Sequence, residues 1–136
     1  MRFDTKIAIA VRDDLAAWQR LNVTAFLAGA IAAGQPGLTG EPYEDGSGHE
    51  YLPMFRQPVL IYAAGGGALA AAHGKALARG LDLAVYIEEM FATGHDEANR
   101  AAVRAVTAEK MALAGVGLHG PRNAVDKIFK GLPLHP

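Results

Sequence analysis

Val59-Leu60-Ile61-Tyr62-Ala63, then Ala64-Gly65-Gly66-Gly67, a helical run Ala68–Arg79, Gly80, and Leu81-Asp82-Leu83-Ala84-Val85-Tyr86-Ile87: this order of segments decides the fold. A short run rich in β-branched and aromatic residues, opened by Gln57-Pro58 and closed by glycines, predicts a buried strand. Gly80 stands where a helix ending at Arg79 needs left-handed backbone. A second strand pattern starts at Leu81. A strand, a helix and a strand in succession imply an α/β layered fold with a mostly parallel or mixed sheet.

The pattern extends in both directions. Lys6-Ile7-Ala8-Ile9-Ala10-Val11 reads as a first buried strand, ended by Arg12-Asp13-Asp14, whose carboxylates suit a helix start. From Asn22 to Ala33, Val23, Phe26, Leu27, Ala30 and Ile31 recur at three- and four-residue spacing, with small residues almost everywhere between them. A helix apolar nearly all round is expected to be buried. Residues 34–50 hold five Gly and two Pro and read as a long loop or lid. Glu50-Tyr51-Leu52 reads as a short edge strand. Downstream, Glu88–Phe91 suits one helical turn and Thr93-Gly94-His95 a break. Asp96–Lys110 reads as a helix, Met111–Leu118 as a fourth strand, and Arg122–Lys130 as a last helix with Pro121 at or near its first position. Nothing divides the chain, so residues 1–136 are expected to form one domain.

Composition narrows the function. Thirteen Lys+Arg against fourteen Asp+Glu give a net charge of −1 and a pI near 6.5, which disfavours nucleic acid as a partner. Cys is absent, which excludes disulfides, thiolate nucleophiles and Cys-ligated metals. Ser47 is the only serine, and no nucleophile elbow surrounds it. No cofactor or metal site is expected, because no His-x-x-x-His spacing occurs. The longest near-apolar stretches, Val23–Ala33 and Val59–Ala72, are too short to cross a bilayer. Met1-Arg2-Phe3-Asp4 leads into a strand without a signal-peptide layout, so a cytoplasmic protein of bacterial style is expected. Ala occurs 27 times and Gly 16 times; such small side chains permit close packing, and a homodimer is the default expectation.

Val11-Arg12-Asp13-Asp14-Leu15 before a small-residue helix resembles the start of the type II peptidyl-tRNA hydrolases. Gly115-Val116-Gly117-Leu118-His119-Gly120-Pro121, followed by Asn123-Ala124-Val125-Asp126-Lys127-Ile128-Phe129, is similar to their end. The helix Ala76–Gly80 and strand Leu81–Ile87 are similar to their middle. Asn22, Glu88-Glu89-Met90-Phe91-Ala92-Thr93-Gly94 and Gly120-Pro121-Arg122 resemble more closely an uncharacterised bacterial family grouped with that fold. The resemblance implies a three-layer α/β/α sandwich with a mixed four-stranded sheet. It also places the hydrolases' acidic residue at Glu89 and their threonine at Thr93, whereas their lysine becomes Asn22. An amide cannot supply a cation or a tunable amine, and the basic loop before it becomes Ala16-Ala17-Trp18-Gln19-Arg20. The expected protein is thus a divergent, hydrolase-like chain with Glu89, Thr93 and Asn22 converging on one cleft. The alternatives are a non-catalytic module for a small, anionic ligand and an oligomeric structural protein.

Several local groups carry candidate chemistry. Glu88-Glu89 lies just past a strand's C-terminal end, where α/β sheets favour ligand crevices; apposed to Asp13 or Asp14, one carboxylate would have a raised pKa. Thr93-Gly94-His95-Asp96-Glu97 offers a hydroxyl, an imidazole and two carboxylates, or else a helix cap. Gly66 and Gly67 could present backbone N–H groups to an anion at a helix start, although neither the Gly-x-Gly-x-x-Gly nor the Walker A pattern is met. His119 and Arg122 flank another turn before a helix, where an anion would find a cation.

Overall fold

A computed structural model describes residues 2–136. The elements are β1 (Thr5–Arg12), α1 (Ala17–Gly34), β2 (Tyr43–Glu44), β3 (Glu50–Tyr51), β4 (Val59–Ala64) and α2 (Gly66–Ala78). There follow β5 (Leu83–Ile87), a 3₁₀ turn (Glu88–Ala92), α3 (Asp96–Arg104), a second 3₁₀ turn (Ala108–Lys110), β6 (Leu113–Pro121) and α4 (Arg122–Ile128). The main sheet has the order β4-β1-β6-β5. β1 and β4 are parallel, while β6 runs antiparallel to β1 on one side and to β5 on the other. The sheet is therefore mixed and four-stranded, which decides between the mostly parallel and mixed arrangements that the strand–helix–strand reading left open.

Strand alternation sorts the core into two layers. Ile7, Ile9 and Val11 face α1 and meet Val23, Leu27 and Ile31 there. Ala8 and Ala10 face the other way, where Val116 and Leu118 of β6 pack with Leu69 of α2 and Val125 and Ile128 of α4. Helices thus cover both faces. Gly115 and Gly117 explain how α1 lies so close to the sheet. A Cβ on Gly115 would stand 2.6 Å from Val23 Cγ1 and 3.0 Å from Leu27 Cδ1, and one on Gly117 would stand 3.2 Å from Ile31 Cδ1. The Gly-x-Gly of the central strand is the floor into which the α1 side chains sink.

The two edges of the sheet are treated differently. Along β4, Ala63 N–H donates to Pro133 O (3.1 Å) and His135 N–H to Ile61 O (2.8 Å), with Tyr62 bridging to Leu134. The segment at 133–135 thus covers that edge. β5 pairs with β6 on one side only, and among the described residues no backbone hydrogen bond reaches its outer side.

Several expectations are corrected. α1 begins at Ala17, so residues 15–21, which read as an irregular or helical entry, are helical from there, with Ala16 N–H held by the Gln19 carboxamide (3.0 Å). Only one face of it is buried. Leu21 and Phe26 remain 72% and 53% exposed, because a helix on the outside of a three-layer sandwich has only the sheet to pack against. Helix α3 stops at Arg104 rather than Lys110, since the β-branched pair Val106-Thr107 holds helix poorly and Val106 turns toward the core. β6 runs on through His119-Gly120-Pro121, and Thr5 pairs with Pro121; pairing with β1 overrides the turn that Gly-Pro suggests, and Pro121 becomes the cap of α4. α2 starts at Gly66 and ends at Ala78, α4 ends at Ile128, and β5 starts only at Leu83. Residues 50–51 pair with 43–44 in a separate hairpin rather than on the main sheet. Its turn is built on Asp45, which accepts from Ser47 N–H (2.8 Å), His49 N–H (3.0 Å) and the Tyr51 hydroxyl (2.7 Å). These bonds hold the Asp45 carboxyl below its ordinary value.

Candidate functional site

A cleft of about 500 Å³ opens between α1, the end of β5, the first 3₁₀ turn and the start of α3. Trp18, Asn22, Phe26 and Ala30 come from α1, at the three- to four-residue spacing that puts them on one helix face. Val85 and Tyr86 come from β5, Met90 and Phe91 from the turn, and Thr93, His95 and Asn99 from the segment that opens α3.

Its wall is aromatic. Tyr86 and Phe91 have centroids 5.0 Å apart, Phe26 meets Tyr86 edge-on at 5.7 Å, and Trp18 meets Phe91 edge-on at 6.0 Å. Tyr86 is buried, but Trp18 is 62% exposed. Burial raises the Tyr86 phenol above its ordinary pKa, and the Asn22 carboxamide beside it works in the opposite direction. The polar side carries a single charged group, Asp96. Thr93 Oγ1 lies 2.9 Å from the Met90 carbonyl and also contacts the Asn99 carboxamide. His95 Nδ1 accepts from Ala98 N–H (3.2 Å) and so caps α3. That assigns the ring proton to Nε2 in the neutral imidazole, which makes His95 a donor rather than a base. Asp96 is occupied by Arg100. No lysine lines the cleft, and no arginine does.

Of the three residues expected to share a cleft, Asn22 and Thr93 do line it together, with His95 beside them. Glu89 is exposed and is not part of the lining. The expected carboxylate pair at the strand ends is replaced by a charge cluster. Arg12 lies 2.6 Å from Asp14 and 3.4 Å from Glu88, and donates to Leu113 O (3.2 Å). The hydrogen bond to Asp14 chiefly raises the Arg12 pKa. Asp13 is exposed, and its N–H is tied to Ala64 O (2.9 Å).

The glycine turn and Arg122 cannot hold one anion. Gly66 lies near Arg12 at one end of β1, with Gly67 next to it, while Arg122 lies at the other end, where Thr5 pairs with Pro121. The eight residues of β1 separate them by about 23 Å at a strand's rise per residue. Arg122 is also spent, donating twice to Phe3 O (3.0 and 2.9 Å). His119 lines a smaller hollow of about 250 Å³ with Gln35 and Asp82, at the C-terminal end of α1; burial lowers its pKa. Among the described residues, no group of three or more His, Cys, Asp or Glu side chains is placed to hold a metal ion.

Sequence reasoning missed the aromatic wall as a unit and missed Asn99 entirely. Trp18, Phe26, Tyr86 and Phe91 stand on three elements, so no local motif joins them.

No curated protein matches the chain. Among solved structures, the protein of unknown function Atu0240 from Agrobacterium tumefaciens strain C58 is similar, with 47% identity and a TM-score of 0.96 over 99% of this chain and 100% of that one. The sequence profile of DUF2000, described as a protein of unknown function, matches residues 5–136, and the chain belongs to that family.

Proposed function

We propose that this protein is a non-catalytic binding module, a divergent relative of the type II peptidyl-tRNA hydrolase arrangement that has lost its chemistry and kept a cleft. The ligand group is uncharged, with an apolar or aromatic face and an amide-like polar edge. The observation that carries this reading is the union in one cleft of exposed aromatic rings with two carboxamides. Trp18 and Phe26 leave large apolar surfaces open beside Asn22 and Asn99. Rings in that position gain most when a ligand covers them. Each carboxamide offers both a donor and an acceptor.

Hydrolysis is disfavoured by the same lining. Lysine is absent, Glu89 stands outside, and the His95 nitrogen that could act as base already accepts a backbone N–H. An anionic ligand is disfavoured because no cation faces the cleft. Trp18 is the only tryptophan, so its emission reports occupancy directly. Benzamide, indole-3-acetamide and N-acetylphenylalanine amide are titrated while Trp18 emission and thermal unfolding are followed. Saturable change in both, abolished by Asn22→Leu, is the expected result. Turnover of N-acetylaminoacyl-tRNA that depends on Glu89 would instead establish a hydrolase.

A further inference from the structure

Two adjoining hollows lie at the C-terminal end of α1. One holds about 250 Å³ and the other about 280 Å³, and Gln35, Asp82 and His119 line both. Three separate elements place these side chains. Gln35 caps α1, Asp82 immediately precedes β5, and His119 is carried by β6. Leu83 pairs with Leu118, so Asp82 and His119 are the next residues along their two chains. Gly117 already meets Ile31, in the last turn of α1. Strand alternation puts His119 on that same face, so it faces the end of the helix. The polar groups here are unspent. Asp82 takes part in none of the ion pairs among the described residues. His119 Nε2 is covered by protein and has no hydrogen-bond partner, although buried polar atoms nearly always have one. The last turn of α1 carries no basic residue, which leaves the negative end of the helix uncompensated, and Gly34 has open space beside it.

We propose that these hollows form a second binding site, which takes a primary ammonium group on a short aliphatic stem. An ammonium offers three donors, and the site offers three acceptors on three elements: the Asp82 carboxylate, the Gln35 carboxamide oxygen and the His119 imidazole. Burial lowers the His119 pKa from the ordinary 6.5, so at about pH 7.5 the ring is neutral and keeps a lone pair. The last side-chain torsion of histidine is broad, so a modest turn presents Nε2 to a donor in the hollow. Asp82 is the one charged side chain in either lining. Arg79 and Arg122 adjoin lining residues in sequence but line neither hollow, and Arg122 is turned to Phe3 O. The charge that the site selects is therefore positive. Ile31, Leu83 and Ala84 give the stem an apolar wall. Ala30 borders both this site and the aromatic cleft, but no polar side chain is shared, so the two sites stand or fall separately. A free amine and a lysine side chain of a partner protein carry the same group.

The test uses the full chain and follows the ring C–H resonances of His119 by NMR, assigned with His119→Gln. The probes are n-pentylammonium, pentan-1-ol, pentanoate, Nα-acetyl-lysine methylamide and zinc ion. Trp18 emission, recorded in parallel, reads the aromatic cleft. The expected result is a saturable shift of the His119 resonances with n-pentylammonium and no change in Trp18 emission. Affinity for n-pentylammonium should fall about fivefold or more in Asp82→Asn, whose exposed position leaves the fold intact, and pentan-1-ol should bind as weakly to the wild type. Tighter binding of Nα-acetyl-lysine methylamide than of n-pentylammonium assigns the site to a protein side chain, and the reverse order assigns it to a free amine. Four results overturn the inference: no shift with either amine, equal binding of pentan-1-ol or pentanoate, undiminished amine binding in Asp82→Asn, or a shift with zinc ion alone. None of them bears on the aromatic cleft.

Discussion

At the residue scale, two glycines in different settings respond oppositely to the same methyl group. Gly115→Ala drives a Cβ to within 2.6 Å of Val23 Cγ1, and overpacking of this kind costs about 1–3 kcal/mol. Gly29 sits on the exposed side of α1 with nothing near it. Gly29→Ala should stabilise by about 0.5–1 kcal/mol, because alanine loses less backbone freedom in a helix. Urea midpoints of the two variants check both signs. The histidines make a second prediction. His73 is buried, and burial alone lowers its pKa from the usual 6.5; His119 is lowered for the same reason. The unfolded chain then binds more protons than the folded one as pH falls below that usual value. Their stabilising contribution is therefore complete above about 6.5 and is lost as pH falls through the lowered values. Unfolding midpoints should drop between pH 7 and pH 5, and His73→Leu should flatten that drop. Single residues were also where the sequence said least about the site. The spacing Glu88 to Thr93 was visible, but which of Glu88 and Glu89 faces the cleft was not. The answer is neither: Glu88 goes to Arg12 at the end of β1, and Glu89 is exposed outside the cleft.

At the element scale, periodicity carried the prediction well. The alternation of Lys6–Val11, the Gly80 break and the run Leu81–Ile87 became β1, the end of α2 and β5, with Gly80 at φ +67 as a helix stop requires. The failures share a cause. Gly120-Pro121 looked like a turn locally but is strand, because β1 supplies its partners; a one-dimensional pattern does not contain its neighbours. The small residues of α1 read as burial all round, yet the face that meets Gly115 and Gly117 is that of Val23, Leu27 and Ile31, while Ala25, Gly29 and Ala33 stay exposed. Segment 132–136 matters at this scale too. Deleting it removes the two backbone hydrogen bonds to β4, a loss of about 1–3 kcal/mol, and bares a second sheet edge. A lower urea midpoint, together with concentration-dependent association in light scattering, is the expected outcome.

At the scale of the whole molecule, the sheet separates its two ends by function. One end gathers Arg12, Asp14 and Glu88 into a satisfied charge cluster, with the aromatic cleft beside it at the end of β5. The other is tied by Arg122 to Phe3 O and by Lys6 to Asp126. The one charged side chain in the cleft lining, Asp96, is paired with Arg100. The α/β class was legible in the sequence because strand and helix periods are local, whereas those periods left a parallel and a mixed sheet both open and only the resemblance implied the mixed one. The cleft was only half legible, because its wall is assembled from α1, β5 and the turn after it, which meet only when the sheet forms. The central claim is that this assembled cleft binds a ligand group. Its most direct test follows Trp18 emission in wild type and in the Asn22→Leu variant during titration with N-acetylphenylalanine amide. A saturable spectral shift in wild type that is lost in a folded variant is predicted. An unchanged spectrum in wild type, or an identical shift in both, would contradict it.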